Sequence, residues 1–206
     1  MSSLLRAGGW LVLPIMACSL VAAIIIFERL LALRRSRVLP DPLVGILHRW
    51  ADQGTVSQKD VDVLALNSPL GRIVATGLKH RGRERHALRE RVEDTGRHVA
   101  HELTLFLNTL GTIAAISPLL GLLGTVAGMI KAFHVISVQG NSDFSLLSVG
   151  IAEALMTTAI GLIVAIPSLL FYRYFQSRVD TLVVYMEQET LHLIDLLDHE
   201  ADQGKP

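Results

Sequence analysis

Three long stretches of the chain are apolar and almost free of charge. Residues 7–27 and 103–130 contain no Asp, Glu, Lys or Arg over 21 and 28 positions, and residues 144–172 contain one such residue, Glu153. A helix of about 20 apolar residues crosses a hydrocarbon core of about 30 Å. Because a backbone in lipid must satisfy its own hydrogen bonds, we predict one membrane-spanning helix from each stretch.

The first stretch is interpreted as a retained helix rather than a secretion signal. No Ala-x-Ala cleavage site follows it. The tetrapeptide ending at Cys18 resembles a lipoprotein processing site, but the apolar run continues to Phe27, where a processed lipoprotein would turn polar. Cys18 is therefore interpreted as an ordinary small apolar residue, and a chain with one cysteine forms no internal disulfide.

The third stretch continues into an amphipathic segment. Apolar residues recur there at spacings of three and four, which is typical of one helix face. No proline or glycine separates this segment from the span. We therefore predict one helix from about Asp143 to His199, about 85 Å long at 1.5 Å per residue. The second spanning helix should likewise begin in the cytoplasm, near Glu84. The stripe comprises Val179, Leu182, Val183, Met186, Thr190, Leu193, Ile194 and Leu197.

Elsewhere the local signals are those of helix ends, and strand alternation with hairpin turns is not evident in the sequence. Ser68 before Pro69 predicts an N-cap followed by proline at the first helical position. Residues 57–60 resemble a capping box, and residues 141–143 should cap the third span. Breaks are expected at residues 40–42 and at Gly82.

These elements predict an all-α integral membrane protein with three spans. The expected segments are residues 1–33 (outer N-terminus and first span), 34–102 (cytoplasmic helices), 103–140 (second span and outer turn) and 141–206 (third span and cytoplasmic C-terminal helix). Two helices that extend far beyond the bilayer expose apolar stripes. Neighbouring copies would cover those stripes most simply, so a ring-forming homo-oligomer is expected.

The basic residues predict the orientation of the three spans. Of the 19 Lys and Arg residues, 14 lie between Glu28 and Glu102, and one, Lys131, lies between the second and third spans. Lys and Arg close to the end of a span favour the cytoplasmic side, and Arg29, Arg34, Arg35 and Arg37 directly follow the first span. The N-terminus and the turn at 131–143 should therefore face outward, and the C-terminus should be cytoplasmic.

Composition narrows the function classes. Hydrophobic residues make up 50 % and charged residues 18 % of the chain, with a net charge of +0. Disordered chains, coiled-coil rods and nucleic-acid-binding tails have a more charged and less apolar composition, so the composition argues against these three classes for the chain as a whole. The cationic segment from Lys79 to Arg91 is interleaved with acids, which favours a solvated face or anionic-lipid contact over nucleic acid. His98 and His101 are interpreted as surface residues, since one such pair is poor evidence for a metal site.

Small residues line one face of each of the last two spans. Such faces allow helices to approach closely, and we expect them at contacts between copies. Pro118 and Pro167 should kink these helices. The small residues are Ser117, Gly121, Gly124 and Gly128 in the second span, and Gly150, Ala154, Thr157, Gly161, Ala165 and Ser168 in the third.

Glu153 is the residue whose chemistry stands out. A carboxylate at membrane depth costs at least about 2.5–3.5 kcal/mol on insertion scales, so it should face a protein interior or a wet cavity. A carboxyl in that setting can bind and release protons. The alternative is a structural acid that bonds across an interface. Thr125, whose hydroxyl could equally bond its own backbone, and Thr158 are the other candidate polar groups.

Two segments resemble a known family. Residues 116–128, ISPLLGLLGTVAG, are similar to the second-helix motif of the MotA/TolQ/ExbB proton-channel family. Residues 150–167, GIAEALMTTAIGLIVAIP, resemble its third-helix motif still more closely. Leucines and Ala127 stand where relatives often have aromatic residues. The three-span topology resembles the ExbB and TolQ branches, ExbB most.

The resemblance implies a homopentamer whose second and third helices line a pore around a dimer of a single-span ExbD-like protein. It implies that Thr125, Glu153 and Thr158 line the proton pathway, without a cofactor. In the ExbB branch, proton flow across the cell inner membrane drives a TonB-like protein and outer-membrane import. A TolQ-like subunit that energises envelope integrity is the alternative. A membrane scaffold and an intramembrane enzyme are rival classes, although no histidine lies within the three spans to activate a serine.

Overall fold

A computed structural model describes residues 11–38, 58–80, 85–139 and 144–203 of the chain. These residues form helices and short connections, and no strand occurs among them. The helices are α1 (Val12–Ala32), α2 (Arg35–Val38), α3 (Gln58–Asn67), α4 (Pro69–Lys79), α5 (Arg85–Thr104), α6 (Leu107–Gln139) and α7 (Phe144–Gln203). The all-α fold is confirmed.

Three helical regions are long and apolar enough to cross a membrane, as the sequence predicts. They lie at Val12–Ala32, within His86–His134 and within Ser148–His192. Large apolar side chains on these helices are exposed in the single chain, as expected where lipid or another protein replaces water. Examples are Leu20, Ile24 and Phe27 of α1, Leu119 and Ile130 of α6, and Ile163 of α7.

The third spanning helix continues without interruption, as predicted. α7 is a single helix of 60 residues from Phe144 to Gln203, and Pro167 lies inside it. In the described part of the amphipathic stripe, Val179, Leu182, Met186 and Thr190 are buried and Val183 is half-buried. The side chains of Leu193, Ile194 and Leu197 lie outside the described set.

The second spanning helix differs from the prediction of one helix from near Glu84. It is interrupted between Thr104, the last residue of α5, and Leu107, the first residue of α6. Phe106 has a φ of 63°, the left-handed conformation, which costs an L-residue about 1–2 kcal/mol. The Leu105 amide bonds the Glu102 carbonyl at 3.3 Å, three residues back, so the last turn of α5 is tightened. The Thr104 hydroxyl donates to the His101 carbonyl at 2.8 Å.

The N-cap predicted at Ser68 is confirmed. The Ser68 hydroxyl accepts a hydrogen bond from the Gly71 amide at 3.0 Å, and Pro69 occupies the first helical position. Such a cap stabilises a helix by about 1 kcal/mol. The predicted capping residues Ser57 and 141–143, and the predicted breaks at 40–42 and Gly82, lie outside the described residues.

The chain divides into two compact units. The first comprises residues 1–28 and 106–174, and the second comprises residues 29–105 and 175–206. In the first unit the buried side chains come from all three apolar helices: Val12 and Ile15 of α1, Leu110 and Ser117 of α6, and Thr157, Val164 and Ser168 of α7.

In the second unit, α3, α4 and α5 pack successively, with the C-terminal part of α7. Its core contains Leu70, Ile73, Val74, Leu88, Val92, Val99, Phe175 and Leu182. A bidentate ion pair joins α4 to α5: Arg72 Nη1 and Nη2 donate to the Glu102 carboxylate oxygens at 2.7 and 2.8 Å. The hydrogen bond to Glu102 also raises the pKa of Arg72.

Cations of the segment from Lys79 to Arg91 pair with acids. Lys79 Nζ lies 2.8 Å from Asp62, and Arg89 Nε lies 2.9 Å from Glu93. All four side chains are exposed. Lys79 and Arg89 are therefore exposed and paired with acids, and the choice between a solvated face and anionic-lipid contact stays a prediction.

Candidate functional site

The small-residue faces of α6 and α7 lie against each other within one chain. A methyl group placed on Gly161 would lie 2.6 Å from the Ser117 carbonyl oxygen, and one on Gly128 would lie 2.9 Å from the Ala154 side chain. A methyl group on Gly150 would lie 2.7 Å from Ala132. These faces are therefore used inside the subunit, and the expectation that they form the contacts between copies is corrected.

Thr157 lies at the closest point of this interface. It is 1 % exposed, and its side-chain carbon atoms occupy the space that a methyl group on Gly124 would need. Its hydroxyl donates to the Glu153 carbonyl at 2.9 Å, one turn back along α7. Glycine at position 124 thus leaves room for a branched side chain on the facing helix, which is the use of small residues expected in membrane helices.

Thr158 joins the two helices by a hydrogen bond. Its hydroxyl donates to the Gly121 carbonyl of α6 at 2.9 Å. Most threonine hydroxyls in a helix bond a carbonyl of their own helix. Gly121 permits this contact because a methyl group there would lie 2.9 Å from the Thr158 Cα atom.

Glu153 is half-buried on α7, and it is the one acidic residue between Phe144 and Tyr172. Its neighbour Ala154 is 3 % exposed and contacts Gly128. Glu153 therefore lies at the edge of the α6–α7 interface, beside the backbone that Thr157 and Gly128 hold in place.

Thr125 is half-buried on α6, and its hydroxyl donates to the Leu122 carbonyl at 2.7 Å within the same helix. The structure therefore gives the predicted polar residues different bonding. Thr158 bonds across the interface, whereas Thr125 bonds its own backbone. The hydroxyl oxygen of Thr125 can still accept a hydrogen bond while it donates one.

The prolines inside the second and third spanning helices each have a serine beside them. Ser117, next to Pro118, donates to the Ile113 carbonyl at 2.7 Å, and Ser168, next to Pro167, donates to the Val164 carbonyl at 2.7 Å. Both serines are buried. Hydroxyl bonding of this kind often accompanies helix bending. The kinks expected at Pro118 and Pro167 stay predictions.

Two structural residues near the spans were missed from the sequence. Arg29 of α1 is 5 % exposed and donates through Nη1 to the Leu103 carbonyl at 3.1 Å. In the sequence, Arg29 is the first residue of the basic run after the first span, and that position indicated only the orientation of the span in the membrane. Tyr172 packs its ring over Gly111, where a methyl group would lie 3.1 Å from the ring. Spacing along the sequence could not pair Arg29 with Leu103, or Tyr172 with Gly111, because the two members of each pair lie on different helices.

Comparison with known proteins places this arrangement in a family. The model of the MotA/TolQ/ExbB proton channel family matches residues 65–188, more than half of the chain. That range contains the α6–α7 interface with Thr125, Glu153 and Thr158. The chain belongs to the MotA/TolQ/ExbB family. This is a family of channel and transport subunits rather than of enzymes, and with three apolar helices it indicates a multi-pass membrane protein.

Relatives named ExbB and TolQ both resemble this MotA/TolQ/ExbB chain. A putative biopolymer transport protein ExbB-like 3 of Synechocystis is 33 % identical over 83 % of this chain and 82 % of its own length. A putative ExbB homolog of Methanothermobacter thermautotrophicus is 31 % identical over 85 % of this chain, which spans 62 % of that relative. The Tol-Pal system protein TolQ of Haemophilus influenzae is 41 % identical over 42 % of this chain and 36 % of its own length.

Proposed function

We propose that this chain is the pore-forming subunit of a proton-driven energy-transducing complex in the cell inner membrane. Glu153 carries the proposal: it is a half-buried acid in the third apolar helix, inside the region that the family model matches. An ionisable side chain at membrane depth is costly and is typical of ion pathways and proton relays. Binding and release of protons at Glu153 is the chemistry assigned to this chain.

The α6–α7 pair acts as the rigid support of that acid. Gly161 and Gly128 bring the two helices into backbone contact, and the Thr158–Gly121 hydrogen bond joins them directly. The position of Glu153 is therefore set by both helices. Thr125 and Thr158 complete the polar groups of the proposed pathway.

The proposed assembly is a homopentamer around a dimer of an ExbD-like single-span protein. This proposal draws on the ExbB-named relatives and on the exposed apolar side chains of the spans, such as Leu119 and Ile163. A TonB-like protein would receive the work and drive outer-membrane import. The proposed orientation has a periplasmic N-terminus and a cytoplasmic C-terminus, because most basic residues lie between the first and second spans.

Replacing Glu153 with glutamine tests the proton role. Glu153→Gln keeps the size and a hydrogen-bonding end but cannot ionise. The full complex should assemble in normal amount, and proton uptake into vesicles and energised import should both fall at least tenfold. Glu187→Gln is the matched control, because it makes the same chemical change at an exposed position of the same helix. Full import with Glu153→Gln at normal abundance would show that the acid is structural.

A TolQ-like role is the second candidate. The TolQ proteins of Haemophilus influenzae and Pseudomonas aeruginosa are 41 % and 38 % identical over 86 and 82 residues, against 44 % over 78 residues for ExbB of Aquifex aeolicus. These short matches favour both names almost equally. Expression in cells that lack either system separates the roles: recovery of TonB-dependent uptake supports the ExbB-like function, and recovery of detergent resistance supports the TolQ-like function.

A further inference from the structure

A buried arginine bonds the backbone where the second spanning helix is interrupted. α5 ends at Thr104 and α6 begins at Leu107, with Phe106 in the left-handed conformation at a φ of 63°. Arg29 Nη1 donates to the Leu103 carbonyl at 3.1 Å. The two residues are 74 positions apart, so the contact depends on the folded chain.

The local sequence does not explain the interruption. Residues 103–107 read LTLFL and contain no glycine, proline or asparagine, the residues that usually stop a helix. Leucine is a good helix former, and phenylalanine and threonine are ordinary ones. A bulky residue with positive φ is an outlier that its own preferences do not favour. The interruption therefore depends on contacts from elsewhere in the chain.

The Leu103 carbonyl has two alternative donors. In an uninterrupted helix it would accept the amide of Leu107, four residues on. At a helix end it is one of the last four carbonyls, which need a partner from outside the helix. Arg29 supplies that partner and also a positive charge, which is favourable at a helix C-terminus.

We propose that Arg29 holds the second spanning helix in its interrupted form, and that residues 103–107 have an uninterrupted helical alternative in which the Leu103 carbonyl accepts the Leu107 amide. The segment is then a two-state element, and the guanidinium of α1 selects one of its states. This inference concerns backbone conformation and is independent of any proton role of Glu153.

Hydrogen exchange of the Leu107 amide tests the proposal in the full-length protein, assembled and reconstituted in lipid nanodiscs. Arg29→Met removes the donor and keeps an apolar side chain of similar length. Exchange at Leu107 should become at least tenfold slower, because the amide enters a helical hydrogen bond. Arg29→Lys keeps the cation and should stay within about threefold of the wild type.

Two substitutions at position 106 test the backbone conformation itself, the first of them with Arg29 intact. Phe106→Ile leaves Arg29 intact but adds a β-branch, which disfavours positive φ further, so exchange at Leu107 should again slow tenfold. Arg29→Met combined with Phe106→Gly should return to the wild-type rate, because glycine adopts the left-handed conformation freely.

Each result decides the matter. Slower exchange in Arg29→Met and its reversal by Phe106→Gly support the two-state element. Unchanged exchange in Arg29→Met would show that other packing holds the interruption, and faster exchange throughout residues 100–110 would show that Arg29 only supports folding. If Arg29→Met does not assemble, Phe106→Ile decides alone, and an unchanged Leu107 rate there overturns the proposal.

Discussion

The Thr158 hydroxyl donates to the Gly121 carbonyl at 2.9 Å and so ties the third spanning helix to the second. Thr125, the other threonine of the proposed pathway, donates to Leu122 in its own helix at 2.7 Å. The two hydroxyls therefore differ in what their removal changes. Loss of the first removes a contact between helices, whereas loss of the second leaves the helix interface intact.

Thr158→Val should lower the stability of the chain and its activity. Valine keeps the branched shape and deletes the hydroxyl. Hydrogen bonds between membrane helices average about 0.6 kcal/mol and reach about 1.7 kcal/mol, so a decrease in that range is expected. Unfolding of the detergent-solubilised protein by a denaturing surfactant measures it. A stability equal to the wild type would mean that the bond to Gly121 contributes nothing net.

Thr125→Val is predicted to separate activity from stability. Because the Thr125 hydroxyl bonds its own helix, its loss should change stability by less than about 0.5 kcal/mol. If the hydroxyl guides protons or water, import should still fall at normal protein abundance. Import equal to the wild type in this variant would remove Thr125 from the proposed pathway.

Gly161→Ala should weaken the packing of the α6–α7 pair. The added methyl group would lie 2.6 Å from the Ser117 carbonyl oxygen and 3.2 Å from the Gly121 Cα atom. Both are backbone atoms, so the helices must separate to accept it. Overpacking of this kind typically costs about 1–3 kcal/mol, and Gly124→Leu should be more severe.

Gly96→Ala is the matched control for this packing prediction. Gly96 is also helical, but no heavy atom lies within 4 Å of a methyl group placed there. Alanine should stabilise α5 by about 0.5–1 kcal/mol, because glycine is the poorer helix former. Equal thermal stability of the Gly161→Ala and Gly96→Ala proteins would contradict the close approach of α6 and α7.

Periodicity and capping patterns predicted much of the fold because they are local. The stripe from Val179 to Met186 and the absence of a helix breaker after the third span predicted α7, and Ser68 with Pro69 predicted the start of α4. The interruption at Phe106 was not predictable in this way. Its sequence favours helix, and the arginine that bonds it comes from a helix 74 residues away in the chain.

The site shows the same division between local and distant information. Spacing identified the small faces, since residues three and four apart share a helix face, and Glu153 was identified as the one charge in the third apolar stretch. Spacing could not identify which helix each face contacts. Gly128 against Ala154 and Gly161 against Ser117 are contacts inside the subunit, whereas the sequence alone suggested contacts between copies.

The ion pair between Arg72 and Glu102 should contribute a measurable coupling. Both side chains are nearly half exposed, and surface pairs contribute about 0.2–1 kcal/mol, with the bidentate geometry favouring the upper end. A double-mutant cycle with Arg72→Met and Glu102→Gln measures the coupling, which should shrink in 1 M salt. Arg72→Lys should lose most of it, because lysine cannot form the fork. A coupling that is unchanged by salt would contradict the electrostatic origin.

The orientation can be tested with reporters at three positions that lie outside the described residues. Fourteen of the 19 basic residues lie between Glu28 and Glu102, and a cytoplasmic location for that segment follows from the energetic preference for basic loops inside. Gly54 and the end of the chain at Pro206 should therefore lie in the cytoplasm, and Gly140 should lie outside. Each position is fused to two reporters: alkaline phosphatase, which is active only outside, and green fluorescent protein, which is bright only in the cytoplasm. A cytoplasmic position should give fluorescence without phosphatase activity, and an outer position should give the reverse. Three spans require Gly140 to differ from both other positions, and Gly140 on the same side as Gly54 would mean that the second apolar helix does not cross the membrane.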